Sequence, residues 1–421
     1  MMDWEKKGPF NIPYIIWLQL FFLALGYAFY SANRLAFGVG LKSMAKQMAL
    51  TTVQVGTLAT IFTLGQALID IPAGYLADKL GRKKMLLMGM FGIGVTTMAV
   101  TTADGFIATT VWRFLFGATE GIWNIVMYSV AGSIFPASRA MLNGLMMTFY
   151  SIGAYVGPSY YGATLSANPA NWQSGLLTMG AATLGFACVL AWGLRTKYTD
   201  QSKDIKSMHI VEAMRTVGSN KGVWLGVSAQ VLNIIPYWGF ASMGPYLFMT
   251  YKGFTAAAAG QFFGIIYGIG GLSSVVLGYF ADRFGRKPVI LWLAILNVLC
   301  AGLIFHVIPN DSRALLYLIG GCLGIGLHAL YILGYTIGQD AVEPRQVGLA
   351  TGLIGACMYF TSFFSGPATG FLTKQYGHIV ALDIIVIAFE AALILLAIFM
   401  PETQKKVAAP APGQAGVGKS S

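Results

Sequence analysis

The sequence predicts an all-α membrane protein in which twelve transmembrane helices form two pseudo-symmetric six-helix bundles. Three observations predict it. Of 421 residues, 56% are hydrophobic and only 10% charged, with a mean hydropathy of +0.66, whereas a water-soluble domain carries about a quarter charged residues. Twelve apolar stretches recur along the chain, and a helix needs roughly 20 such residues to cross about 30 Å of hydrocarbon. A segment of the first half also returns, nearly unchanged, in the second. A secreted enzyme, a disordered chain and a disulfide scaffold are excluded on composition.

The apolar stretches fall at residues 13–40, 52–78, 84–102, 105–134, 140–165, 173–194, 222–250, 257–281, 288–308, 314–340, 346–373 and 378–400. The first is longer than a signal-peptide core and lacks a small-residue cleavage site, so it is expected to persist in the mature chain. The implied organisation is a cytoplasmic N-terminus (1–12), a first bundle (13–194), a cytoplasmic linker (195–221), a second bundle (222–400) and an Ala-, Pro- and Gly-rich cytoplasmic tail (401–421) expected to be disordered.

Charge placement sets the orientation. With both termini and the even-to-odd connections inside, 20 of the 27 Lys and Arg residues are internal and five external, leaving Arg34 and Arg113 within apolar stretches. The net charge of +11 is therefore topological, and no nucleic-acid partner is expected. Cys188, Cys300, Cys322 and Cys357 lie in apolar stretches without metal-binding spacing and read as free thiols. No metal site, catalytic triad, phosphate-binding loop or dinucleotide fingerprint is present, so neither an enzyme nor a nucleotide-driven pump is expected.

GYLADKLGRKK at 74–84 recurs as GYFADRFGRKP at 278–288, with seven identities in eleven positions at an offset of 204. Arg139 is answered by Arg345, and Gly157 with Pro158 by Gly366 with Pro367. The loop after the second helix of each half resembles the signature loop of the major facilitator superfamily, and the resemblance extends over essentially the whole chain. It implies the major facilitator fold, a substrate site between the halves near the midplane, and alternating access driven by an ion gradient without a cofactor. It also implies that Gly74, Asp78 and Arg82, with Gly278, Asp282 and Arg286, form a latch that holds the halves in the outward-facing state.

Charges inside an apolar span are functional candidates, because a charge at the bilayer centre costs several kcal/mol, about 2.5–3.5 on insertion scales, unless it pairs or faces water. WRFLFGATEGIWNIVMY in the fourth stretch places Arg113 and Glu120 on one helical face, about 10 Å apart along the axis. GYAFYSANRLAFG in the first places Tyr27, Tyr30 and Arg34 on a common face. A guanidinium is always charged, and its planar fork matches a carboxylate or phosphate. A structural link of Arg34 with the fourth-stretch charges is the alternative.

These residues resemble the organic-anion branch of the superfamily, the anion:cation symporters. That branch shows an Arg in the first helix and RfxxGxxE in the fourth, matched by Arg34 and by Arg113 with Glu120. An acidic residue often precedes the first-helix Arg; here Asn33 stands there, which weakens a two-carboxylate proton relay. The resemblance implies proton-coupled symport of a small organic carboxylate, with Arg34 and Arg113 at the substrate and Glu120 carrying the proton. Read from the residues themselves, Tyr30, Asn124, Tyr237, His328 and Tyr331 are further candidate substrate contacts, His328 being either a substrate or proton group or a core histidine, and Asp70, two turns before Asp78, is a second protonation site or a gate partner.

GYAFYSANR is also similar to the first helix of the organophosphate:phosphate antiporters, whose site uses one Arg from each half. The seventh stretch has Pro236 near the second position and no basic residue, so the carboxylate reading ranks higher. A proton-coupled exporter of amphiphilic or cationic compounds is a further alternative, suggested by the aromatic second half and by GAYVGPSYYG, which resembles the antiporter GxxxGP motif. The expected setting is a bacterial or archaeal inner membrane, with lipid and a small anion as partners and a monomeric chain. Asp383 and Glu390 stand in the apolar twelfth stretch without a role that the sequence supplies.

Overall fold

The computed structural model describes residues 13–134, 139–199, 215, 217–343 and 346–403. Among them are twelve long helices. The first half contains α1 (Tyr14–Gln47), α2 (Thr52–Leu80), α3 (Arg82–Ala99), α4 (Phe106–Ile134), α5 (Arg139–Ala167) and α6 (Gln173–Gly193). The second contains α7 (Lys221–Tyr251), α8 (Ala256–Phe284), α9 (Arg286–Gly302), α10 (Arg313–Asp340), α11 (Val347–Tyr376) and α12 (His378–Phe399). Nine helical segments of the described residues are each long and apolar enough to cross a membrane. The others are α4, which carries Arg113 and Glu120 within its span, α5 and α7.

The repeated loop has a local conformational cause. Gly81 and Gly285 each end one helix and begin the next, with φ of 94° and 105°, a region that disfavours residues with a Cβ. This turn lets α3 and α9 start directly after α2 and α8. The side of the molecule bearing these turns, here the loop face, also holds the start of α1 and the end of α12.

The halves meet through α1 with α7, α2 with α11, and α5 with α8. At the far face these seams are tight. A Cβ on Gly56 would lie 2.1 Å from the carbonyl oxygen of Gly366, and one on Gly366 would lie 2.0 Å from that of Gly56. Thr60 donates to the carbonyl of Phe363 at 2.6 Å, the amide of Ala257 donates to Ser166 Oγ at 2.8 Å, and Lys42 Nζ donates to the carbonyl of Met249. In the GxxxGP segment, Gly153 and Gly157 pack α5 on Ala28 and Ala32 of α1 within the first half, and Gly162 meets Ala256 of α8 across the seam, all at backbone distance. Toward the loop face, a Cβ on Gly278 or Gly352 would meet nothing within 4 Å, and one on Gly74 only Ile125 of its own half. The halves are thus sealed at the far face.

Of the latch residues, Arg286 is buried and pairs within its own half, with Asp282 at 2.6 Å and Asp340 at 3.1 Å. Glu402 accepts from the amides of Arg286 and Lys287 at 2.9 and 3.1 Å, placing a carboxylate at the start of α9. Arg82 is buried, and the side chain of Asp78 lies outside the described residues, as does Arg345. Asp383 pairs with His306 at 2.7 Å, joining π-helical segments Leu303–Val307 and Asp383–Ala388. Glu390 lies beside Asn297 in the second half, and both are fully buried. The four cysteines are free, Cys188 on the exposed surface and Cys300 in the core.

Candidate functional site

The helical spacing of α1 brings Tyr27, Tyr30 and Arg34 to one face at the seam between the halves. Arg34 is 4% exposed and sits where the halves meet. Its Nη1 donates to Tyr30 Oη and, at 2.8 Å, to Gln66 Oε1 of α2, and lies 3.3 Å from Glu120 Oε2 of α4. Neither Glu120 oxygen completes a hydrogen bond, so the contact is an ion pair without hydrogen-bond alignment. Arg34 Nε and Nη2 are buried donors without an acceptor among the described residues.

Rings enclose the rest of the guanidinium. Its Cζ lies 4.3 Å from the Trp238 ring centre, 4.7 Å from that of Phe62 and 5.7 Å from that of Tyr359. Trp238 and Tyr359 belong to the second half, so both bundles hold this cation, and buried contacts of this kind are worth about 2 kcal/mol. The other face of the cleft carries His328 and Tyr331 from α10 and Tyr237 from α7. Tyr237 Oη stands 3.4 Å from each His328 ring nitrogen, and Tyr150 of α5 meets that imidazole edge-on at 5.8 Å across the seam. The cleft between these walls has a free volume of about 20 Å³, room for a water or two. Tyr128, Tyr331 and Tyr335, on its loop-face side, are partly exposed, whereas Trp238 and Phe62 are buried.

The predicted residues divide by position. Arg34, Tyr30, Tyr237, His328 and Tyr331 line the cleft. Glu120 stands directly behind Arg34. Asp70, half-buried, has an unpartnered Oδ1 and lies within electrostatic range of Arg34 and Glu120. Asn124, one turn beyond Glu120, is half-buried with an unpartnered Oδ1. Arg113 is set apart from the cleft wall, toward the far face, on the rings of Phe37 (3.9 Å), Phe116 (4.7 Å) and Phe62 (4.8 Å). Phe62 thus contacts both guanidiniums. Asn33 faces α6, donating to Thr183 Oγ1 at 2.9 Å and to the carbonyl of Phe29 at 2.7 Å, so position 33 points away from the cleft.

Sequence reasoning missed Gln66, Phe62, Tyr150, Met147 and Tyr359. Gln66 had a signal, one turn before Asp70 on the same face of α2. Gln230 and Asn233, by contrast, bind helices together, donating to Met358 Sδ at 3.0 Å and the carbonyl of Leu327 at 3.2 Å. No group of three His, Cys, Asp or Glu side chains is placed to hold a metal among the described residues.

A family model described as Major Facilitator Superfamily matches residues 23–277 and 269–419. The chain belongs to the Major Facilitator Superfamily. Its curated relatives include the Uncharacterized MFS-type transporter YdeG of Bacillus subtilis, 24% identical over 86% of each chain. The Probable sulfoacetate transporter SauU of Cupriavidus necator is 26% identical over 45% of this chain and 43% of its own. Among solved structures, a bacterial homolog of the human lysosomal transporter Spinster, inward-facing and unoccupied, superposes with a TM-score of 0.71 at 17% identity, covering 91% of this chain and 95% of its own. A D-xylose-proton symporter gives 0.72 at 15%, covering 92% and 99%. Family and helices together make the protein a multi-pass membrane transporter of this superfamily.

Proposed function

We propose that the protein is a secondary transporter that carries a small organic carboxylate by alternating access, coupled to protons through Glu120. The observation that carries this reading is Arg34. Two of its three nitrogens are buried donors without acceptors at the edge of the central cleft, and a carboxylate would satisfy both in the fork geometry that a guanidinium offers. Glu120 competes for the same cation. In this reading protonation of Glu120 releases Arg34 to the incoming anion, and loss of the proton returns the ion pair, so that anion and proton move together. In the same reading Asp70, on the loop-face side, is the second proton-carrying group. The seal at the far face and the partly exposed tyrosines opposite give the cleft its access from the loop face, with Arg82 and Arg286 controlling the reverse rocking motion. A relative named for sulfoacetate, a two-carbon anion, supports an anionic substrate.

The test is purified protein in liposomes, loaded with unlabelled carboxylate and supplied with labelled carboxylate with or without a pH gradient. Glu120→Gln is expected to keep exchange and lose gradient-driven accumulation. Undiminished accumulation would overturn the coupling role, and absence of any carboxylate exchange by the wild-type protein would overturn the anion reading. The ring-lined cleft favours one rival, export of an organic cation; replacing both Arg34 and Arg113 by Gln abolishes anion exchange but spares cation export.

A further inference from the structure

The chemistry of the cleft walls goes beyond the charge of the substrate. We propose that the cleft selects carboxylates bearing an aromatic ring, with the carboxylate at Arg34 and the ring held between Tyr150 of the first half and Tyr237 and Tyr331 of the second; this rests on the anion reading above.

The tyrosine hydroxyls that line the cleft are largely committed to one another or to Arg34. Tyr30 Oη and Gln66 Oε1 accept from Arg34, Tyr128 donates to Tyr27 at 3.3 Å, and Tyr331 and Tyr359 share a 3.5 Å contact. The amides of Gln230 and Asn233 do not line the cleft; their NH2 groups hold α7 to α11 and α10, and only their carbonyl oxygens are left without a partner. A sugar acid would bring a hydroxyl on nearly every carbon into walls made of ring faces, and each unpaired buried hydroxyl is unfavourable.

Ring contacts are what the walls offer. Tyr237 and Tyr331 lie 5.6 Å apart at 34°, Tyr27 and Tyr150 5.1 Å apart at 53°, and Tyr150 with His328 spans the two halves at 61°. All are within the favourable range for aromatic pairs. In the contracted cleft the rings satisfy one another. A substrate enters only as the walls part, and a flat aromatic body replaces each ring contact it breaks with another. An aliphatic body of equal size breaks the same contacts and restores only van der Waals packing. Trp238 Nε1, a buried donor without an acceptor beside Arg34, adds to the polar end of the slot, so the donors cluster at one end and the rings at the other.

Counterflow of radiolabelled benzoate into proteoliposomes, in competition with unlabelled compounds, tests this. Phenylacetate is expected to compete at concentrations similar to benzoate, cyclohexanecarboxylate at about tenfold higher ones, as one or two lost aromatic contacts would give, and gluconate only weakly. Tyr237→Leu should narrow the gap between benzoate and cyclohexanecarboxylate as competitors, because the ring contact that favours benzoate is removed. Gluconate or acetate exchanged as well as benzoate would overturn the aromatic selection and leave the anion reading standing. Transport of benzylamine without competition from any carboxylate would overturn both. The wild-type panel decides the matter even if the variant fails to fold.

Discussion

Arg34 of α1 and Glu120 of α4 meet at 3.3 Å with side chains 2% and 0% exposed, and the rings packed on the guanidinium come from both halves of the molecule. The pairing neutralises two charges in the membrane interior without hydrogen-bond alignment, and it leaves Arg34 Nε and Nη2 without an acceptor among the described residues.

Breaking such a pair from one side strands the other charge. Glu120→Leu is expected to destabilise the protein by about 3–5 kcal/mol, the usual consequence of an uncompensated buried charge. Arg34→Met combined with Glu120→Leu should recover at least half of that, because the Arg34 cation is then no longer left without its carboxylate. Thermal unfolding in detergent measures both. A double variant less stable than the single one would show that Arg34 is held mainly by the rings and Gln66.

The fold was legible because its signals are written in composition and repetition: the returning loop, the Gly81 and Gly285 turns within it, and the charge imbalance all survive without knowledge of packing. The site was legible only where a charge stands in an apolar run, as at Arg34 and Glu120. Tyr359 and Tyr150 were not, since a helix buried on several sides shows little difference between its faces, and only the partner helix decides which tyrosine looks inward. Asn33 shows the same dependence on packing: it is the neighbour of Arg34 in sequence, yet a 100° turn of the helix directs it to α6. Asp383 and Glu390 were opaque for a related reason, their neighbours His306 and Asn297 lying far away in sequence.

The far-face seal rests on backbone contact between Gly56 and Gly366. Gly366→Val places a side chain where the carbonyl of Gly56 now sits, so α2 and α11 are forced apart and the far face opens. Distances between spin labels at Thr51 and Gln375, both exposed near that end, should lengthen by several ångströms, while Gly352→Ala, at a position with open space, leaves them unchanged. Equal distances in all three proteins would place the seal elsewhere.

Glu402 acts on α9 from beyond the end of α12. Its carboxylate accepts from two first-turn amides, groups that a helix leaves without internal partners. Glu402→Ala is expected to cost about 1 kcal/mol, in line with loss of a helix cap, and to speed amide hydrogen exchange at Arg286 and Lys287 by roughly the corresponding fivefold. Exchange at Ala256, at the opposite end of α8, should not change.

Glu390 poses the opposite problem to Glu120. It is fully buried, its oxygens complete no hydrogen bond, and its polar neighbour is the neutral Asn297, itself without a completed side-chain bond. Around them lies the apolar cluster that includes Leu293, Ala294 and Leu330. An ionised carboxylate there would have neither solvent nor cation to stabilise it, so the side chain is expected to act as a neutral carboxylic acid. Glu390→Gln, which keeps the shape and removes the option of charge, should leave both thermal stability and transport within about twofold of wild type. Glu390→Lys introduces a charge at the same point and should prevent accumulation of folded protein, read by monodisperse elution after detergent extraction. A stable, active Lys variant, or a Gln variant that loses gradient-driven uptake while Glu120 is intact, would instead show that position 390 exchanges charge during the cycle.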